Sequence, residues 1–76
     1  MKYETTEKNA AQLKSAFTYH SPKDDQPTRY VAIRDKAHEL AQLIVGEVPP
    51  SREQSVALTH LETAVFWANA GIARNE

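Results

Sequence analysis

There is no cysteine in this chain, only two glycines, one methionine and one tryptophan. The first absence removes disulfides and thiolate metal sites. With Gly46 and Gly71 standing alone, no glycine-rich loop is present to cradle a phosphate. Nine basic residues against ten acidic ones leave a net charge of −1, without the dominant basic field that a general DNA or RNA binder needs. A small anionic ligand stays compatible, because it asks only for a local cluster of cations. No apolar run approaches the roughly 20 residues of a membrane span, and "MKYETTEKNA" lacks the apolar core of a signal peptide. The expectation is a soluble cytosolic protein with no membrane partner and no cofactor.

What is present is helical rhythm. Residues 4–16 read as a short helix that Thr5 or Thr6 can cap. Glu4 and Lys8 are spaced to pair, and Ala10, Leu13 and Phe17 form a thin apolar stripe. So short a helix is marginal alone and must dock on something. A loop follows over 17–26. Pro27 then suits a first helical turn, and Tyr30, Ile33, Ala37, Leu40 and Ile44 recur at 3-4-3-4 spacing. Gly46 and "VPP" at 48–50 are read as ending that helix. Ser51 with Gln54 matches a capping box, and Leu58, Leu61, Val65, Ala68 and Ile72 repeat the same seam. The short connection forces the two helices antiparallel.

The expectation is therefore one all-α domain over 1–76, with a short N-terminal helix and a helical hairpin over 27–75, its helices near 27–45 and 51–74. The last helix has a second apolar arc containing Val56, Phe66, Trp67, Ala70 and Ala73. A helix apolar on two sides is buried on two sides. A chain of 76 residues buries only about 60% of its unfolded surface, so the leftover arc predicts a compact homo-oligomer.

Enzymatic chemistry finds little support. His20, His38 and His60 lack ligand spacing, and "HELAQ" at 38–42 carries Gln42 where a zinc motif requires its second histidine. The acidic residues Asp24, Asp25, Glu53 and Glu62 read as solvated charges and turn formers. No metal and no catalytic residue are expected. The loop "AFTYHSPKDDQPTRY" is different, because aromatic faces stack on bases and Lys or Arg holds phosphate oxygens. Phe17, Tyr19, His20, Lys23, Arg29, Tyr30 and Arg34 supply both kinds of contact, with Tyr30, Arg34 and His38 on one helix shoulder. Phe17 reads better as core packing, and Tyr19, in an aperiodic stretch, better as a binding residue. Trp67 reads as interface packing. Arg74 suits either the helix dipole or an anion held near a symmetry axis.

"FTYH", "QP-x-RY", "PPSRE" and "WANA-x-IARN" together resemble the small phage anti-CBASS sponge proteins, the hairpin-domain family that includes a Thoeris anti-defence relative. The likeness spans roughly residues 17–76. It implies proteins that sequester cyclic oligonucleotide second messengers in the host bacterial cytoplasm without cleaving them. They assemble as helical homo-oligomers, typically hexamers. Cyclic dinucleotides sit between protomers, and some members hold cyclic trinucleotides at separate pockets. Carried over, Tyr19 resembles the base-stacking tyrosine, and Arg29, Arg34 and Lys36 resemble the phosphate holders. Arg74 stands where the second pocket draws a basic residue. The alternative, from another class, is a structural or regulatory helical oligomer that binds a protein through the apolar face of its last helix.

Overall fold

A computed structural model describes residues 2–76. Three helices follow in order: α1 (Glu7–Ala16), α2 (Gln26–Glu47) and α3 (Arg52–Asn75). No strand occurs among the described residues.

Thr6 begins α1 by accepting a hydrogen bond from the Asn9 amide at 3.1 Å. Glu4 thus lies outside the helix and the expected Glu4–Lys8 helical pair has no turn to form on. Gln26 opens α2 one residue before the expected start, with Pro27 in the first turn. Gly46 does not end α2, which runs on to Glu47 and stops at Val48, with φ −110° and ψ 129°. The cause is Pro49, which crowds the residue before it out of the helical region. Ser51 caps α3 by accepting from the Gln54 amide at 3.1 Å. Gln54 does not complete a reciprocal box. Its side-chain amide donates instead to the Val48 carbonyl at 2.9 Å, tying the end of α2 to the start of α3. Ser51→Ala removes the cap from one orphan amide and should cost about 1 kcal/mol. A fall of several degrees in thermal melting with unchanged helical circular dichroism is the expected result.

The helices α2 and α3 pack along one antiparallel seam, while α1 stands almost clear of both. Tyr30, Ile33, Ala37, Ala41 and Ile44 are half-buried against Leu58, Leu61, Val65 and Ile72. Leu40 and Ala68, expected in the seam, flank it and stay exposed. Two helices touch along a single line, and a 3-4 stripe is wider than that line. Among the described residues no apolar side chain is fully buried, and Gln26 is the buried polar one at 3% exposure.

The molecule is correspondingly flat, 49 × 38 × 14 Å, barely more than one helix thick. Its radius of gyration is 16.9 Å, against about 11 Å for a compact chain of this length. The accessible surface is 6434 Å², where scaling gives about 4,700 Å² for a globular protein of this mass. Phe66 and Trp67 on α3 and Leu13 on α1 are all more than half exposed. Among the described residues the second apolar arc stays open at Phe66 and Trp67, while Ala70 and Ala73 are half-buried.

Candidate functional site

The α2 shoulder is where polar and apolar groups meet. Arg34 and His38 rim a hollow of about 450 Å³ floored by Ala37, Leu61 and Val65, with Glu62 and Phe66 on its far side. A second hollow of about 250 Å³ adjoins it, lined by Tyr30, Arg34, Asn69, Ala70 and Ala73. Arg34 therefore stands between the two, and the i, i+4, i+8 spacing does place Tyr30, Arg34 and His38 on one face. Among the described residues Arg34 makes no ion pair. The Asn69 Oδ1 is enclosed and, among the described residues, accepts no hydrogen bond. An unpaired guanidinium above an apolar floor, with an aromatic ring one turn away, can hold a phosphate while a flat group lies beside it.

Around α3, Phe66 and Ala70 also line a hollow of about 270 Å³ shared with Thr63, Trp67 and Arg74. The Arg74 guanidinium lies 5.9 Å from the centre of the Trp67 ring. That cation–π contact holds Arg74 over the apolar arc. Lys36 belongs elsewhere. Two residues beyond Arg34, it faces the opposite side of the hairpin with Ile33, Leu40 and Ala64, and its ammonium lies 3.4 Å from Glu39.

In the loop, Tyr19 is 82% exposed. Phe17, expected to pack, is 86% exposed, because α1 does not lie on the hairpin. The His20 ring donates from Nε2 to the Ser15 carbonyl at 2.8 Å, and the Thr18 hydroxyl donates to the Lys14 carbonyl. Both satisfy carbonyls that the last turn of α1 leaves orphaned. His20 thereby fixes the backbone that presents Tyr19.

Lys23 and Arg29 converge at the open end of the hairpin. Arg29 donates to both carboxylate oxygens of Glu76, from Nη1 at 2.8 Å and from Nη2 more closely. The Gln26 Nε2 donates to the same carboxylate at 3.1 Å, and the Lys23 ammonium donates to the Glu76 carbonyl at 2.9 Å. Asp25 Oδ1 lies 3.2 Å from the Arg29 Nε. Gln26 and Glu76 were not legible as partners, since fifty residues separate them and no local spacing links them. Arg29 first, and Gln26 after it, hold the Glu76 carboxyl at about 2, below its usual 4.5; Glu76 in turn raises Arg29 above the ordinary arginine range. The stability this contact contributes is complete above pH 4.5 and lost as pH falls towards 2. Melting temperature should decline across that window, and Glu76→Gln should flatten the decline; solvent exposure keeps the effect modest.

Within one chain, then, the expected residues form separate groups. Tyr30 and Arg34 share one face, Lys23 and Arg29 share the clamp, and Tyr19, Lys36 and Arg74 stand apart from both. A family model described as Acb2/Tad1, hairpin domain, matches residues 9–73. The match opens inside α1, earlier than the motifs from residue 17 onward, and closes before Arg74. No curated protein and no solved structure matches the chain.

Proposed function

Since the chain belongs to the Acb2/Tad1 hairpin-domain family, we propose that it sequesters cyclic oligonucleotide messengers of bacterial anti-phage defence and releases them unaltered. The observation that carries this reading is the unpaired Arg34 between two hollows, one of them flanked by Tyr30. A cyclic dinucleotide needs no dominant basic field, because it has only two phosphodiesters to neutralise. Arg34 holds one phosphate, and Tyr19 stacks on a base from a neighbouring copy of the chain. Lys36 reaches a phosphate from the opposite hairpin face, and Arg29 and Lys23 do so when Glu76 lets them go. His20 acts through the loop backbone.

The working form in this reading is a homo-oligomer, with a hexamer as the expected order. Support comes from the flat shape, the exposed Phe66 and Trp67, and hollows that are open on one side. Copies of Arg74, held over Trp67, supply a second class of pocket suited to cyclic trinucleotides. The proposed place of action is the host bacterial cytoplasm. Among the described residues no helix is long and apolar enough to cross a membrane.

Exposure of Phe66 and Trp67 also favours a second reading, in which α3 docks another protein and the oligomer is purely structural. Calorimetric titration with cyclic di- and trinucleotides, beside their linear counterparts, separates the two. Sequestration requires saturable binding of a cyclic species that weakens as salt rises. No heat with any cyclic nucleotide leaves only the docking role.

A further inference from the structure

The clamp at the open end of the hairpin has more donors than a simple ion pair needs. Lys23, Gln26 and Arg29 all point at one residue, Glu76. The donor side is organised without Glu76. The Gln26 amide closes a turn on the Lys23 carbonyl at 3.0 Å. The Lys23 amide donates back to the Gln26 Oε1 at 3.1 Å. Asp24, at φ 50°, bends the chain between them, and Asp25, the residue just before α2, forms an ion pair with Arg29. Glu76, by contrast, lies one residue past the end of α3, where few torsions need to change for its carboxylate to leave.

Charge and shape say what fits in its place. With Glu76 withdrawn, two cations, Lys23 and Arg29, face one close carboxylate, Asp25; among the described residues Asp24 makes no ion pair. The remaining single positive charge matches one phosphodiester. A phosphodiester also offers two equivalent oxygens, as the carboxylate does to the Arg29 fork. We propose that Glu76 is a built-in anion that occupies a phosphodiester site made by Lys23, Gln26 and Arg29, so that ligand must displace it. This rests on the sequestration reading for the identity of the ligand, but the site itself does not. Glu76 lies beyond the stretch matched to the family.

Two probes keep the two ideas apart. Inorganic pyrophosphate is titrated into wild type, Glu76→Gln and Glu76→Ala, following the amide resonances of Gln26 and Arg29, with thermal melts confirming the fold. Freeing the donors should lower the half-saturation concentration about tenfold, equivalent to one charge-assisted hydrogen bond. Equal responses in all three proteins, or none in any, would overturn the proposal and leave the clamp as a fastening. A cyclic dinucleotide is then titrated into the same proteins. Tighter binding by both variants, with a steeper salt dependence, supports displacement by ligand. If pyrophosphate binding improves and dinucleotide binding does not, the site stands as an anion site, and displacement by this ligand is overturned.

Discussion

Trp67→Glu should break the proposed homo-oligomer into single chains. Trp67 is 65% exposed and Phe66 beside it 63% exposed, so within one chain the new carboxylate meets water. Arg74, which stacks on the ring in wild type, gives it a cationic neighbour as well. The hairpin seam lies elsewhere and should hold. In an oligomer that closes through α3 the same carboxylate is buried without a designed partner. The change also removes an aromatic anchor, at a cost of 2 kcal/mol or more, roughly thirtyfold, at each contact. Symmetry repeats that loss at every equivalent interface. Light scattering should report wild type well above the mass of one chain at micromolar concentration and the variant at that mass. A wild type that is monomeric there contradicts the architecture.

Tyr19→Ala should weaken a cyclic dinucleotide roughly 5- to 150-fold, the 1–3 kcal/mol of one lost base-stacking face. The residue is almost wholly in solvent, so no packing is lost with the ring and melting should be unchanged. Arg34→Ala makes a complementary test. Phosphates carry no base identity, so its loss should weaken different cyclic dinucleotides to a similar degree. It should also flatten the salt dependence, because one cation fewer meets the ligand. Calorimetry with paired melts separates these outcomes from a folding defect. Wild-type affinity in both variants would remove Tyr19 and Arg34 from the mechanism.

The parts of the fold legible in the sequence are those set by local chemistry. Ser51 and Pro27 mark helix starts because an orphan amide needs an acceptor and a first turn needs no donor. The 3-4 recurrence of apolar residues gave the hairpin, and the leftover Phe66 and Trp67 gave the uncovered arc. Legibility failed where two local signals competed or where distance intervened. Gly46 suggested a stop, but the restriction that Pro49 imposes on Val48 is stronger, so α2 runs to Glu47. Phe17 suggested core on the assumption that α1 docks on its own hairpin. In the candidate site, helical spacing was enough to unite Tyr30, Arg34 and His38. It gave no hint that Arg29 and Lys23 turn towards Glu76, or that His20 is spent on the last turn of α1.

The fate of the ligand tests capture without chemistry most directly. The protein is incubated with a cyclic dinucleotide, freed of unbound nucleotide, denatured by heat, and the released material is identified by mass. Nucleotide should be retained before denaturation and returned afterwards as the intact cyclic species. Return of a linear or otherwise altered product, or retention of nothing, would contradict it.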